Sequence, residues 1–129
     1  MSRILSVGLD LVDLERMERL LDRHGDAAVR RICREGEARV LAGPGRVAHV
    51  AGLFAAKEAA MKALGTGWAA GVGFRQIEVV RQTGGAPALA LHGAARERAD
   101  ALGVTRSHLS ITHDGRTAAA IVVLEGHET

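Results

Sequence analysis

Apolar and polar residues alternate at the start of the chain, over residues 4–12. A period of two is typical of a β-strand with one packed face. The larger apolar side chains share one face of this strand, which consists of Leu5, Val7, Leu9 and Leu11. The opposite face carries Ser6, Gly8 and Asp10. We therefore expect the larger residues to pack against the protein and Asp10 to stand on an open side of the strand.

Apolar residues at helical spacing follow this strand. Asp13 is placed to cap a first helix that ends near Gly25, and Asp26 begins a second, shorter helix. A long, alanine-rich helix is predicted over about residues 47–64, with Gly65 as its C-terminal stop.

Strands dominate the second half of the chain. The predicted elements are strands at 74–82 and 86–91, a helix at 94–102, and a hairpin of strands 108–113 and 117–124. Residues 36–46, before the long helix, are typical of a helical turn followed by a loop. The last strand, AAAIVVLE, is apolar on both faces, so we expect it at the centre of a sheet or covered by another subunit.

Composition excludes several classes of protein. The 129 residues are expected to form a single domain over 1–129. Aromatic residues make up only 2% of the chain and the net charge is +2, which argues against a nucleic-acid-binding surface built on base stacking. Cys33 is the only cysteine, which excludes an internal disulfide and a cysteine-based zinc site. Neither a membrane span nor a signal peptide is apparent, so we expect a cytoplasmic protein without a membrane partner.

The segment FAAKEAAMKALGTG, residues 54–67, carries the candidate chemistry. Glu58 and Lys62 lie four residues apart on the long helix, and a glycine–threonine–glycine turn follows them. Mg²⁺ prefers oxygen ligands and is commonly held by one or two carboxylates together with substrate phosphates. Asp10 supplies a second carboxylate if the first strand lies beside the helix. We interpret these three side chains as the centre of a magnesium-dependent enzyme that acts on a phosphoanhydride.

Simpler interpretations of this segment stay open. Glu58 and Lys62 have the spacing of an exposed ion pair, which is worth only about 0.2–0.5 kcal/mol. Against this, Glu58 shares a helical stripe with Phe54 and Met61, which favours a protein-facing position. The turn of Gly65, Thr66 and Gly67 offers amides and a hydroxyl group to a phosphate, but it is equally typical of a plain helix C-cap.

Two further groups of residues are candidates for binding. His113 ends a strand immediately before a tight turn, where a histidine can bond a phosphate or act as acid or base. Arg16, Arg19 and Arg23 form a basic stripe on the first helix. Such a stripe is either a solvated face or a docking strip for an acidic helix of a partner protein.

Three segments together resemble one known family. VGLDLVDLERM, FAAKEAAMKALGTG and HLSITHDGRTAAAIVVLE are similar to segments of the holo-acyl-carrier-protein synthases, the small trimeric 4′-phosphopantetheinyl transferases. The resemblance covers nearly the whole chain. It implies the α+β fold of that superfamily, a mostly antiparallel sheet packed against a long central helix, and a homotrimer with active sites between subunits.

The resemblance also implies a reaction. The 4′-phosphopantetheine group of coenzyme A would be transferred to a serine of an apo acyl carrier protein, releasing adenosine 3′,5′-bisphosphate, in support of fatty-acid or polyketide synthesis. By position, Asp10 and Glu58 would ligate Mg²⁺ together with the pyrophosphate. Lys62 would neutralise the charge that builds on the phosphates. A carboxylate, directly or through a metal-held water, is favoured over His113 as the base.

Other positions carry over from the same family. Ser110 and His113 would lie near the coenzyme, from the neighbouring subunit. Arg16 and Arg23 match positions that face the carrier protein, which is acidic and therefore suits the basic stripe.

The chain departs from the family at two positions. Leu53 and Ala86 stand where many relatives have a positively charged residue that can hold the outer phosphate of the coenzyme. Arg46 and Arg75 are the candidates to replace that charge. Two other classes of protein stay as alternatives: a non-catalytic module that binds coenzyme A or a nucleotide, and a purely structural oligomer.

Overall fold

The computed structural model describes residues 1–37, 43, 45–67 and 69–127 of the chain. The described strands are β1 (Arg3–Asp13), β2 (Ile77–Arg81), β3 (Pro87–Leu91), β4 (Val104–His113) and β5 (Thr117–Gly126). The described α-helices are α1 (Leu14–His24), α2 (Asp26–Ile32), α3 (Arg46–Leu64) and α4 (Gly93–Leu102). Short 3₁₀ turns are formed by Ala69–Gly71 and Phe74–Gln76.

The predicted helices and strands are all present among the described residues, with differences at their ends. β2 begins at Ile77 rather than at residue 74, because the preceding residues form a 3₁₀ turn. The Asp13 side chain makes no capping hydrogen bond. Instead, the N–H of Leu14 donates to the carbonyl of Arg116 at 2.9 Å, which ties the start of α1 to the turn between β4 and β5. Most of the loop predicted over 36–46 lies outside the described residues.

Two antiparallel sheets form the β part of the fold. The larger sheet has the strand order β1–β5–β4, so β5 is its central strand, as expected from its two apolar faces. The smaller sheet is the β2–β3 hairpin. In the larger sheet Asp10 pairs with Ala120 of β5, and Ala120 pairs with Ile111 of β4. The predicted α+β class, with antiparallel sheet packed on a long helix, is confirmed.

The prediction of which face of β1 packs inward is wrong. Val7, Leu9 and Leu11 are 53%, 57% and 68% exposed, whereas Gly8 is buried against α3. A Cβ added at Gly8 would lie 1.8 Å from the carbonyl oxygen of Ala59, so only glycine permits this approach. The face of small residues therefore packs on the helix, and the face of large residues is left open.

Helix α3 lies at the centre of the core and packs on β1 and β5. Ala55, Ala56 and Ala59 are fully buried, and their small side chains allow close contact between backbones. The hydroxyl of Ser6 donates to the carbonyl of Ala63 at 2.6 Å, which fixes the strand along the helix. In the described part of the chain, no helix combines the length and the apolarity that a bilayer crossing requires.

A buried ion pair joins α3 to two other parts of the fold. Lys57 is fully buried, and its ammonium donates to Glu37 Oε1 at 2.7 Å and to the carbonyl of Phe74 at 3.0 Å. Glu37 also accepts hydrogen bonds from the backbone N–H groups of Arg34 and Val79, each at 2.7 Å. Burial lowers the pKa of Lys57, and Glu37 opposes that shift. Removing one partner alone would leave an uncompensated charge in the core.

Substitution of Gly8 by alanine tests the contact between β1 and α3. The added Cβ would force the strand and the helix apart, so we expect the free energy of unfolding to fall by roughly 2–3 kcal/mol. Gly36→Ala is the matched control, because no atom lies within 4 Å of a Cβ at that position. Urea unfolding measures both variants, and equal stabilities would contradict the proposed contact.

Candidate active site

The predicted residues Asp10 and Lys62 meet between β1 and α3. The Lys62 ammonium donates to Asp10 Oδ1 at 3.0 Å and to the carbonyl of Leu9 at 2.9 Å. The Asp10 side chain is 15% exposed and that of Lys62 is 53% exposed. Asp10 faces the helix because it lies two residues after Gly8, and alternate residues of a strand share a face. Asp10 therefore lies on the packed side of β1, beside α3, and not on the open side that was expected for it.

Glu58 completes a cluster with Asp10 and Lys62. Burial raises the pKa of Glu58, the nearby charge of Asp10 raises it further, and the charge of Lys62 lowers it. The simple i,i+4 ion pair does not form, since Lys62 bonds to Asp10 and the described residues include no ion pair between Glu58 and Lys62. The cluster thus holds two like charges close together with one ammonium group.

This cluster fits a divalent cation with an incomplete protein shell. Two carboxylates are hard oxygen ligands, and their mutual repulsion would be relieved by a cation between them. Among the described residues, no group of three or more His, Cys, Asp or Glu side chains is arranged to hold a metal. A bound Mg²⁺ would therefore need oxygens from water and from a substrate, as is usual for this ion.

The turn of Gly65, Thr66 and Gly67 caps the end of α3. Gly65 has a left-handed φ of 76°, and its N–H donates to the carbonyls of Met61 and Lys62. The N–H of Thr66 also donates to Met61, and its hydroxyl donates to the carbonyl of Gly67. The expectation that the amides of this turn are available to a phosphate is therefore wrong for Gly65 and Thr66, because the helix end uses them. Coenzyme binding by this turn stays a prediction.

An arginine that no sequence motif indicates lies at this turn. Arg98 of α4 donates from Nε to the carbonyl of Leu64 at 2.9 Å, and its Nη2 lies 3.5 Å from a Cβ placed on Gly65. Its local sequence in α4 gives no sign of this position. Only the packing of α4 against the end of α3 brings the guanidinium there.

Ser110 and His113 lie away from the carboxylate cluster. Both belong to β4, at the opposite edge of the sheet from β1, and both line a cleft of about 400 Å³. Gly52 of α3 lines the same cleft. Because an α-helix turns about 100° per residue, Gly52 and Glu58 point about 120° apart around the axis of α3. A single chain therefore does not bring the two halves of the predicted site together.

The arginines expected to replace the missing charge at Leu53 and Ala86 are engaged elsewhere. Nη2 of Arg46 pairs with Asp26 at 3.4 Å. Nη1 of Arg75 donates to the carbonyls of Arg30 and Cys33 at 2.8 and 2.7 Å. Their positions do not support the expected role. Arg81, which no sequence motif singles out, lines the cleft instead.

The basic stripe on α1 borders an apolar cavity. Arg16 and Arg23 are exposed, whereas Arg19 pairs with Glu15 of the same helix at 3.2 Å. The cavity beside the stripe measures about 420 Å³ and lies between α1, α2 and α3. Its lining is mostly apolar and consists of Leu20, His24, Ala27, Ala28, Arg31, Ile32, Phe54 and Phe74. Positive charge and an apolar recess are thus presented side by side.

Asp114 stabilises the turn that follows β4. Its carboxylate accepts hydrogen bonds from the N–H groups of Arg116 and Thr117 at 2.8 and 2.9 Å. These bonds hold the pKa of Asp114 below its usual range. The turn fixes the end of β4, where His113 lies.

Comparison with known proteins identifies the class. Residues 6–122 match the model of the 4′-phosphopantetheinyl transferase superfamily. The chain is 52% identical to the holo-[acyl-carrier-protein] synthase of Solidesulfovibrio magneticus, over 95% of this chain and 99% of that protein. The chain therefore belongs to the 4′-phosphopantetheinyl transferase superfamily, within its group of holo-[acyl-carrier-protein] synthases.

Solved structures agree with this assignment. The holo-[acyl-carrier-protein] synthase of Neisseria meningitidis superposes with a TM-score of 0.85 at 35% identity, over 95% of this chain and 98% of that one. The Bacillus anthracis synthase, solved in complex with CoA (3′,5′-ADP), superposes with a TM-score of 0.77 at 38% identity, over 96% and 98%. The resemblance noted in the sequence is confirmed, and so is the expectation of an enzyme, a phosphopantetheinyl transferase.

The interaction between the two carboxylates predicts a shift that can be measured. In the metal-free protein, Asp10→Asn removes the like charge next to Glu58, so we expect the pKa of Glu58 to fall. Carboxyl ¹³C chemical shifts followed through a pH titration would report this pKa. Asp22→Asn, an exposed position on α1, is the control and should leave the value unchanged. An unchanged or higher Glu58 pKa in Asp10→Asn would show that the two groups do not interact.

Proposed function

We propose that the protein transfers 4′-phosphopantetheine from coenzyme A to a serine hydroxyl of an acidic apo acyl carrier protein, in a magnesium-dependent reaction. The by-product is adenosine 3′,5′-bisphosphate, and the pathway served is fatty-acid or polyketide synthesis. The observation that carries this proposal is the cluster of Asp10, Glu58 and Lys62 between β1 and α3. The cytoplasmic location expected from the sequence stays a prediction.

The residues of the cluster have different proposed roles in the transfer reaction. Asp10 and Glu58 would hold Mg²⁺, which supplies neutralisation of the pyrophosphate charge when bound. Lys62 is more than half exposed, so its ammonium can leave Asp10 partly and donate to a phosphate oxygen. Phosphoryl-type transfer depends mainly on such charge neutralisation and on in-line placement of the reacting groups.

A carboxylate of the cluster is proposed to accept the proton of the serine. In the proposed step the serine oxygen bonds to the β-phosphorus, and the bond from that phosphorus to the bridging oxygen breaks. The serine proton passes to a carboxylate, and the bridging oxygen leaves with the adenosine 3′,5′-bisphosphate. The pKa of Glu58 is raised by burial and by Asp10 in the metal-free protein, and a cation held by the two carboxylates would lower it, so we assign the proton to the carboxylate pair and not to Glu58 alone.

The carrier protein is proposed to dock on α1. Arg16 and Arg23 are exposed and offer positive charge to an acidic helix. The apolar cavity beside them, which Leu20 and Phe54 line, can take apolar side chains of the same helix. Charge would then orient the carrier, and apolar burial would hold it.

A homotrimer is proposed to unite the two halves of the site. Val7, Leu9, Leu11 and Ile121 leave an apolar face of the larger sheet exposed, and exposed faces of this kind mark interfaces. Within one chain, Ser110 and His113 lie at the other edge of the sheet from Asp10. Packing between subunits would place Ser110 and His113 of one chain beside the carboxylate cluster of the next.

Loss of either carboxylate tests the chemistry. We expect Asp10→Ala and Glu58→Ala each to reduce the transfer rate by roughly 100-fold or more, because the charge of the phosphates is no longer neutralised. Mass spectrometry of an apo acyl carrier protein, incubated with coenzyme A and Mg²⁺, measures the added group. Asp100→Ala, an exposed carboxylate on α4, is the matched control and should keep the wild-type rate. Wild-type rates in both site variants would refute the assignment.

Mixing of two inactive variants tests the composite site. Glu58→Ala and His113→Ala should each be inactive alone, because every site of either homotrimer then lacks one of the two residues. In trimers assembled at random from both variants, about a quarter of the interfaces should be active. At these interfaces one chain supplies an intact Glu58 and its neighbour supplies an intact His113. Transfer to the carrier protein by the purified mixture is the measurement. No recovery in a mixture shown by native mass spectrometry to contain mixed oligomers would place both residues in one chain's site.

A further inference from the structure

The carboxyl end of helix α3 finds hydrogen-bond donors for all of its last carbonyls. The last four carbonyls of a helix have no partner within the helix and need donors from elsewhere. Those of residues 61–62 accept backbone N–H groups of the turn that follows. The carbonyl of Ala63 accepts the hydroxyl of Ser6, and that of Leu64 accepts Nε of Arg98 at 2.9 Å. Among the described residues, Arg98 is the one charged donor of this set.

The charge of Arg98 is not neutralised by a carboxylate of the described residues. Its printed contacts are the bond from Nε to Leu64 and the approach of Nη2, which lies 3.5 Å from a Cβ placed on Gly65. Arg96 of the same helix differs, because it pairs with Asp100 at 3.1 Å. Arg98 therefore adds a net positive charge to the end of α3.

Without Arg98, the end of α3 would be unfavourable for an anion. Asp10 and Glu58 carry two carboxylates against the single ammonium of Lys62. The aligned peptide dipoles add a partial negative charge of about half an elementary charge at the carboxyl end of a helix. Lys62 lies in the last turn of α3, so a phosphate that it holds lies within the range of that dipole. A polyanionic substrate therefore gains from further positive charge at this end.

We infer that Arg98 is a positioning residue whose charge neutralises the carboxyl end of α3 and so strengthens the binding of coenzyme A. This inference rests on the proposed function, in which Lys62 holds a phosphate. Arg98 acts through the carbonyl of Leu64 and the helix end, without contact to the reacting atoms. Its place is fixed by the core, because Ala95 and Ala99 bury the adjoining face of α4. A guanidinium also keeps its charge at every pH at which the protein is folded.

Three substitutions of Arg98 test the role of its charge. We expect Arg98→Ala and Arg98→Gln each to weaken coenzyme A binding by about 3- to 30-fold, the range for a charge at a helix end. Glutamine keeps a donor for the carbonyl and loses the charge. Arg98→Lys keeps both and should bind as the wild type does. Arg96→Ala, an exposed position of α4, is the matched control and should also bind as the wild type does.

Two measurements separate this role from a general loosening of the fold. Calorimetric titration with coenzyme A and Mg²⁺ gives the affinity, and transfer to an apo acyl carrier protein gives kcat. Substrate and transition state carry similar phosphate charge, so kcat should stay within about two-fold of the wild-type value. Salt screens a charge effect, so the difference in affinity between the wild type and Arg98→Gln should narrow as the salt concentration rises. A merely structural role would leave that difference unchanged.

Several outcomes would overturn the role of Arg98. Wild-type affinity in Arg98→Gln, an equal loss in Arg96→Ala, or a fall in kcat at unchanged affinity shows that its charge does not strengthen binding. If the wild-type protein transfers nothing yet coenzyme A binding depends on this charge, the proposed reaction fails and the role of Arg98 stands. If transfer is normal and all three variants of Arg98 bind coenzyme A as the wild type does, the reaction stands and the role of Arg98 fails.

Discussion

The approach of strand β1 to helix α3 at Gly8 determines where the candidate chemistry lies. The carbonyl of Ala59 occupies the space that any side chain at position 8 would need. Because strand residues alternate between faces, the close contact at Gly8 directs Asp10 toward the same helix. Glu58 precedes Ala59 and Lys62 follows it by about one turn, so the three ionisable groups converge beside the contact. A packing constraint thus produces an electrostatic cluster.

Local signals in the sequence predict most of the elements. The stop at Gly25, the C-cap at Gly65 and the tight turn after His113 depend on the chemistry of a few neighbouring residues, and the structure has each of them. The prediction of the inward face of β1 is wrong because the alternation defines two faces without saying which one is buried. Hydrophobicity alone favours burial of the face with the larger side chains. The actual choice depends on backbone proximity to α3, which is a property of the assembled core.

The sequence predicts those candidate site residues that belong to recognisable motifs. Asp10, Glu58 and Lys62 are expected to meet because carboxylates and an ammonium group at these positions suggest a metal and a phosphate, and the structure brings the three together. Arg81 and Arg98 were missed, since an arginine on a surface element is ordinary until the tertiary fold shows what lies beside it. The expectation of free amides at Gly65 and Thr66 is wrong for a similar reason. Their N–H groups donate to carbonyls of the last turn of α3, which otherwise have no partner within the helix.

The single thiol of the chain gives the fold an internal reporter. Cys33 is 2% exposed, and burial raises its pKa to about 11, so almost none of it is thiolate at neutral pH. It lies at the end of α2, next to the turn that carries Glu37, and its carbonyl is held by Arg75. Alkylating reagents react with thiolate, so labelling must wait for this corner of the molecule to open. The alkylation rate would therefore report how often the segment around Cys33, which adjoins the anchor of Lys57, opens to solvent.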